Sequence, residues 1–112
     1  MDRVSNPSHD SSLTEVFGGN VREDENNPTN HDFEIRRVND GKVLETLHFQ
    51  HGPISEEGVN GILNEDLIIV LINRIDSFQK SKLACRENEN ALSRLHEALW
   101  WLNQRNLKRR KK

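Results

Sequence analysis

The chain has 112 residues, of which 33% are hydrophobic and 30% are charged, and its formal net charge is −2. That length allows one small domain, and so polar a composition is typical of a chain that is disordered in part. With no run of 18 apolar residues and no apolar leader at its start, the chain is expected neither to span a membrane nor to be secreted. A single cysteine, Cys85, excludes an internal disulfide and fits a soluble protein of the reducing cytoplasm.

Residues 1–32 carry seven acids and two bases and are rich in Asn, Ser and Pro. Segments of low hydrophobicity and unbalanced charge rarely fold by themselves, so we predict a flexible acidic N-terminal arm. The alternative is a docked strand or short helix around Val16 and Phe17, in the one apolar stretch of this arm.

Residues 33–50 alternate between apolar and polar side chains in two runs separated by Asn39-Asp40-Gly41, which predicts a β-hairpin. A three-residue loop with Gly41 in the left-handed conformation is favoured, because it places five apolar side chains on one face. They are Phe33, Ile35, Val43, Leu47 and Phe49. A lone hairpin is marginally stable in water, so this one is expected to pack against another element.

Two amphipathic helices follow a glycine-rich connection at residues 51–63. The first is predicted over about 64–80, with Asn64 as its N-cap, and the second over about 86–108. Because the break between them is short, they are expected to form an antiparallel helical hairpin.

These elements predict an α+β fold in which a small antiparallel sheet is followed by a helical hairpin. We place them in one domain, residues 33–108, between the arm and a basic tail at residues 109–112. The first helix is apolar on more sides than one helix and a two-stranded sheet can cover, so we predict a homo-oligomer formed through the helices. The expected interface residues are Leu67, Ile68, Leu71, Ile72 and Ile75.

The sequence GVNG at residues 58–61 precedes the first long helix, where backbone N–H groups could hold a phosphate. It lacks the lysine and the spacing of phosphate-binding loops, and the carboxylates of Glu65 and Asp66 occupy the place of an anion. A tight crossover with glycines at positive φ is therefore favoured. A structural loop of this kind can still line the rim of a pocket.

The second helix carries the clearer ligand signal. Five side chains spaced by 4, 3, 4 and 4 residues form one stripe: Asn90, Arg94, Glu97, Trp101 and Arg105. Arginines beside an exposed indole suit a nucleotide, because guanidinium pairs with phosphate and the ring stacks on a base. The other interpretation is a solvated helix face with charge pairs and a tryptophan that lies on its neighbour.

Catalytic and metal chemistry are poorly supported. Cys85 and His96 are eleven residues apart, about 16 Å along one helix, so they cannot form a dyad within one chain. His48 and His51 lack companions at the spacing of a zinc site. No enzyme activity, metal or cofactor is therefore expected.

The last ten residues carry six bases and no acid. Such a basic end, with Trp100 and Trp101 just before it, is compatible with binding to nucleic acid. The simpler interpretation is a helix end whose cations suit the negative pole of the helix dipole. Nucleic-acid binding remains the alternative function.

Three short sequences carry a family resemblance: GVNG (58–61), ACREN (84–88) and EALWWLNQR (97–105). Over residues 49–105 the chain resembles small phage proteins with the helical-hairpin domain of anti-CBASS and anti-Thoeris sponges, and its order of elements is similar to the anti-Thoeris branch. The resemblance implies a homo-oligomer in the cytoplasm of the infected bacterium. Such a protein binds a host cyclic nucleotide, either a cyclic ADP-ribose isomer or a cyclic oligonucleotide, and sequesters it without cleaving it.

The resemblance also implies which residues hold the ligand. They are Gly58, Asn60, Gly61, Arg86, Asn88, Glu97, Trp101 and Arg105. Pockets of this kind are expected where protomers meet, and no membrane partner is implied.

Overall fold

The computed structural model describes residues 1–6, 13–21 and 29–110. The chain divides into two compact units, Met1–Ile62 and Leu63–Lys112, where the sequence analysis predicts one domain. The first unit holds a four-stranded antiparallel sheet and the second holds a helical hairpin. The predicted α+β class is therefore confirmed, with two more strands than expected.

Four strands pair in chain order: β1 (Asp2–Val4), β2 (Thr14–Gly19), β3 (Asp32–Arg37) and β4 (Val43–His48). Every neighbouring pair is antiparallel, so the sheet is a meander that needs no crossover connection. A four-residue helix, α1 (Ile54–Glu57), lies in the connection that follows β4. It was not predicted.

The described parts of residues 1–32 supply β1 and β2, where the sequence analysis predicts a flexible arm. β2 pairs with β3 along all six of its residues, as in the alternative of a docked strand around Val16 and Phe17. Val16 lies opposite Ile35, and the guanidinium carbon of Arg36 lies 3.9 Å from the centre of the Phe17 ring. Both faces of β2 therefore gain partners from β3. Of the predicted arm and tail, residues 7–12, 22–28 and 111–112 lie outside the described residues.

The loop between β3 and β4 has four residues instead of the predicted three. Arg37 donates its N–H to the Lys42 carbonyl and accepts the Gly41 N–H, both at 2.8 Å, so the loop is 38–41. Gly41 has the expected left-handed conformation, with φ 72°. A β-bulge beside Ile35 absorbs the additional residue.

The bulge preserves most of the predicted face of the sheet. Phe33 lies opposite Leu47 as expected, whereas Val43 lies opposite Arg36. Val43 therefore leaves the apolar face, and it is 41% exposed. Phe49 meets Phe33 edge-on, with 5.6 Å between the ring centres, which continues the apolar face past the end of β4.

The second unit consists of α2 (Asn64–Gln79) and α3 (Arg86–Arg110), which pack together. Both helices agree with their predicted ranges to within two residues. Asn64 was predicted as the N-cap of α2, but the N-cap is Leu63. An apolar residue can stand there because the Asp66 carboxylate, three residues on, accepts the Leu63 N–H at 2.9 Å.

One side chain closes the turn between α2 and α3. Gln79 Nε2 donates to the Cys85 carbonyl at 3.0 Å, and Gln79 Oε1 accepts the Cys85 N–H at 2.9 Å. The last residue of α2 is thus joined to the residue that precedes α3, which fixes the two ends of the turn.

The half-buried apolar side chains of each long helix recur at helical spacing. On α2 and α3 they are Leu67, Ile68, Ile72, Ile75, Phe78, Leu92, Leu95, Leu99 and Leu102. Among the described residues, no hydrophobic side chain is fully buried. The helical hairpin therefore leaves much of its apolar surface in contact with solvent.

Candidate functional site

The predicted loop residues lie in a connection that Gln50 ties together. Its Nε2 donates to the Gly58 carbonyl at 2.8 Å, and its Oε1 accepts the Asn60 N–H at 2.9 Å. The Gln50 N–H donates to the Ile62 carbonyl, and the Ile62 N–H donates to the His48 carbonyl, both at 2.8 Å. The loop is thereby held beside the end of β4.

Asn60 is itself engaged within this loop. The His51 N–H donates to Asn60 Oδ1 at 3.0 Å, and Asn60 Nδ2 donates to the His51 carbonyl at 2.8 Å. Both polar atoms of an exposed side chain are thus used in fixing the backbone. The second N–H and the second lone pair of this amide remain for a ligand.

The two predicted glycines of the loop serve different purposes. Gly58 has φ 71°, and the space where a β-carbon would lie is open. At Gly61 a β-carbon would lie 2.5 Å from the carbonyl carbon of Phe49 and 2.6 Å from the His48 oxygen. Gly58 therefore permits a left-handed backbone, whereas Gly61 permits close approach of two chain segments.

Glu97, Trp101 and Arg105 lie on one stripe of α3. Trp101 is 60% exposed, and its ring meets that of Trp100 at 83°, with 4.6 Å between the ring centres. Arg94 forms an exposed ion pair with Glu97 at 3.6 Å. An indole and a guanidinium one turn apart offer stacking and phosphate pairing at the same surface.

Arg105 is held from the first turn of α2, a relationship that the sequence analysis did not predict. Its Nη2 lies 3.7 Å from Glu65 Oε1, and the exposed fractions of the two side chains are 44% for Arg105 and 12% for Glu65. Asn106 Nδ2 lies 3.5 Å from the same oxygen. The sequence does not indicate this contact, because Glu65 resembles any carboxylate in the first turn of a helix and its partner Arg105 lies on the other helix.

Arg86 and Asn88 lie at the opposite end of α3. Arg86 is exposed and Asn88 is half-buried. Arg86 and Arg105 are separated by about 28 Å of helix, which is too far for one small ligand to contact both on one protomer. The structure therefore brings Trp101 and Arg105 together and leaves Arg86 apart from them.

The predicted interface residues of α2 are mostly occupied within the protomer. Leu67, Ile68, Ile72 and Ile75 are half-buried, and only Leu71 is substantially exposed, at 44%. Their place in an oligomer interface stays a prediction.

The more exposed apolar side of α2 lies further round the helix. Ile69 is 51% exposed and Val70 is 59% exposed. A surface groove of about 580 Å³ follows this side, lined by Ile69, Val70, Asn73, Arg74, Ser77 and Phe78. The Arg74 guanidinium carbon lies 5.0 Å from the centre of the Phe78 ring, so the groove combines apolar walls with one cation.

Two further features are not found among the described residues. Within residues 1–6, 13–21 and 29–110, no group of three or more His, Cys, Asp or Glu side chains is placed to hold a metal ion. No helix of this part combines the length and the hydrophobicity needed to cross a bilayer. Cys85 is an exposed free thiol just before α3.

Comparison with known proteins matches the part of the chain that holds this site. Residues 45–106 match the family described as Acb2/Tad1, hairpin domain. Over 66 residues the chain is 52% identical to "Thoeris anti-defense 1" of Bacillus phage SBSphiJ7, an alignment that covers 59% of this chain and 46% of that protein. The chain thus spans about half the length of the curated relative that it matches. Because the family match covers α2, most of α3 and the connection before them, the chain belongs to the Acb2/Tad1 hairpin-domain family.

Proposed function

We propose that this protein binds and sequesters a cyclic nucleotide signal of the bacterial host without cleaving it, as an anti-Thoeris protein of a phage. The signal is a cyclic ADP-ribose isomer or a cyclic oligonucleotide, and it is held in the cytoplasm of the infected cell. Family membership and the 52% identity to Thoeris anti-defense 1 support this function. The structural observation that carries it is the exposed Trp101 one helical turn from Arg105.

Each of these side chains matches a different part of such a ligand. The Trp101 ring can stack on a base, and every base offers a ring face for this. The Arg105 guanidinium can pair with a phosphate or a pyrophosphate, while Glu97 can accept a hydrogen bond from a base. Stacking and ion pairing break no covalent bond, so a ligand held in this way is released intact.

We infer that a second copy of the chain completes the pocket. Arg86 and Arg105 are about 28 Å apart along α3, so both can serve one ligand only if they come from different protomers. The exposed apolar side of α2, with Ile69, Val70 and Leu71, supplies the surface through which copies associate. The proposed interface therefore keeps Leu71 from the predicted set and adds Ile69 and Val70.

Ligand capture with recovery tests the proposed function. The purified protein is mixed with cyclic dinucleotides, cyclic trinucleotides and cyclic ADP-ribose isomers, filtered and then heated, and both fractions are analysed by chromatography. We expect one ligand to be missing from the filtrate and to return unchanged after heating. Return of a cleaved product would make the protein an enzyme, and passage of every ligand would contradict sequestration.

Nucleic-acid binding is the second candidate function, favoured by the six bases in the last ten residues and by the exposed Trp100 and Trp101. It predicts capture of a single-stranded oligonucleotide with an affinity that falls steeply as salt is raised. Replacement of the five bases at residues 108–112 by glutamine would then abolish binding. Sequestration of a small ligand predicts weak salt dependence and little effect of that replacement.

A further inference from the structure

Glu65 is unusually well covered for a carboxylate near a helix end. Only 12% of its side chain is exposed, compared with 44% for its partner Arg105. Carboxylates in the first turn of a helix are normally solvated, because their favourable interaction with the helix dipole needs no burial. The position of Glu65 therefore calls for an explanation beyond the helix dipole.

The contacts of Glu65 are directed at the C-terminal part of α3. Its Oε1 lies 3.7 Å from Arg105 Nη2 and 3.5 Å from Asn106 Nδ2. Both separations exceed those of a strong charge-assisted hydrogen bond. The carboxylate thus restrains one end of the guanidinium without saturating its donors, and the remaining N–H groups of Arg105 stay available to an anion.

We propose that Glu65 is a positioning residue. It holds the Arg105 guanidinium in place for the phosphate of a nucleotide whose base stacks on Trp101. This inference rests on the proposed function, because it takes Arg105 as a ligand contact. An arginine that is already ordered loses less side-chain freedom when the ligand binds. The negative charge of Glu65 opposes the phosphate, so its benefit must come from geometry.

Two substitutions separate geometry from charge. Glu65→Gln keeps a side chain of the same shape, with an oxygen beside Arg105, and removes the charge, whereas Glu65→Ala removes both. Glu65→Ala is expected to raise the Kd by about three- to tenfold, the cost of ordering one long side chain at binding. Glu65→Gln is expected to bind as tightly as the wild-type protein or more tightly.

The control is Asp66→Ala, one residue further along α2. Asp66 accepts the Leu63 N–H at 2.9 Å, so its loss weakens the start of the same helix without touching Arg105. Asp66→Ala is expected to lower Tm and leave the Kd unchanged. The Kd is measured by calorimetric titration of the full chain, with a cyclic ADP-ribose isomer and cyclic di-AMP as probes. Arg105→Ala and the double variant Glu65→Ala/Arg105→Ala are titrated together with the single variants.

A readout without ligand tests the positioning directly. The side-chain ¹⁵Nε signal of Arg105 is expected to show restricted motion in the wild-type protein and in Glu65→Gln, and free motion in Glu65→Ala. Equal motion in all three proteins would overturn the inference. The signal can be assigned by its loss in Arg105→Ala.

The binding data have equally definite outcomes. A double variant no weaker than Arg105→Ala supports the inference, since Glu65 then acts only through Arg105. Suppose that Arg105→Ala binds poorly, as expected. The inference about Glu65 is then overturned if Glu65→Ala binds with wild-type affinity, or if Asp66→Ala raises the Kd as much as Glu65→Ala does. A wild-type protein that binds no cyclic nucleotide of the capture panel contradicts the proposed function instead, and the Arg105 spectrum still decides whether Glu65 orders that guanidinium.

Discussion

Asn60 and His51 are joined by two hydrogen bonds that run in opposite directions. The backbone N–H of His51 donates to Asn60 Oδ1, and Asn60 Nδ2 donates back to the His51 carbonyl, at 3.0 and 2.8 Å. An asparagine amide satisfies both requirements at once, and no other side chain of this length does. The role of Asn60 in the loop is therefore separable from any contact with a ligand.

Asn60→Asp is expected to destabilise the protein. A carboxylate has no Nδ2 donor and places an oxygen against the His51 carbonyl, so the free energy of unfolding should fall by about 1–2 kcal/mol. Chemical denaturation measures this, with Asn103→Asp on exposed α3 surface as the control for added charge. Full stability combined with lost capture of ligand would instead make Asn60 a direct ligand contact.

Alanine at either loop glycine is expected to destabilise the protein, for different reasons. Gly61→Ala places a β-carbon 2.5 Å from the carbonyl carbon of Phe49, and relief of such overlap should cost about 2–3 kcal/mol. Gly58→Ala meets no neighbour but must adopt φ 71° and ψ −176°, a conformation almost restricted to glycine, which should cost about 1–3 kcal/mol. Thermal denaturation of both variants measures these losses, and wild-type stability of either variant would contradict the role given to that glycine.

The β3–β4 loop carries a carboxyl group with a perturbed titration. Arg37 Nε donates to Asp40 Oδ1 at 2.9 Å, and this bond, followed by the Lys42 N–H, lowers the pKa of Asp40. Because the folded pKa lies below the unfolded one, about 3.9, the stabilisation is present above that value. It is lost as the pH falls through the folded pKa.

A carboxyl ¹³C titration followed by NMR checks the direction of this shift. The midpoint of Asp40 is expected below the ordinary range, and Arg37→Gln should raise it towards that range. Unchanged titration of Asp40 in Arg37→Gln would contradict the assignment of the shift to the guanidinium.

Self-association is expected to depend on the exposed side of α2. Ile69 is 51% exposed and Val70 is 59% exposed. Ile69→Lys and Val70→Lys each place a cation in this apolar surface, so they should dissociate the oligomer with little loss of protomer stability. Sedimentation velocity at several concentrations measures this. Leu83→Lys, at an apolar residue that is 64% exposed in the turn before α3, is the matched control. A monomeric wild-type protein would refute the prediction.

Ligand capture is expected to depend on Trp101 and Arg105. Trp101→Ala removes the stacking surface and Arg105→Ala removes the phosphate partner, and each should raise the Kd at least about tenfold. Lys80→Ala removes an exposed cation at the end of α2, away from this stripe, and should leave the Kd within about twofold. Undiminished capture by Trp101→Ala and Arg105→Ala would exclude this surface as the site.

The features that could be predicted from the sequence are those determined within one element. Helical periodicity predicts the boundaries of α2 and α3 to within two residues, and it puts Trp101 and Arg105 on one stripe. The parity of the hairpin gives Phe33 opposite Leu47, although the loop length was wrong by one residue. Local spacing contains this information because the residues concerned share a helix or a tight turn.

The features that were missed depend on partners far along the chain. Val16 lies in a strand because Ile35 and its neighbours offer a paired edge, which no local measure of hydrophobicity reports. Gln50 and Glu65 look like ordinary polar residues until a loop or a second helix is brought beside them. Sequence reasoning therefore predicted a ligand surface and missed the side chains that contact its members.

The return of the chain at Ile62 also affects the edge of the sheet formed by β4. β4 is an edge strand, and edge strands recruit strands from other molecules. Here Ile62 already occupies the His48 carbonyl and the Gln50 N–H, and the carboxylate of Glu45 occupies the Thr46 N–H at 3.0 Å. Three backbone groups that a foreign strand would use at the end of β4 are therefore already engaged, which makes this part of the edge a poorer template for another strand.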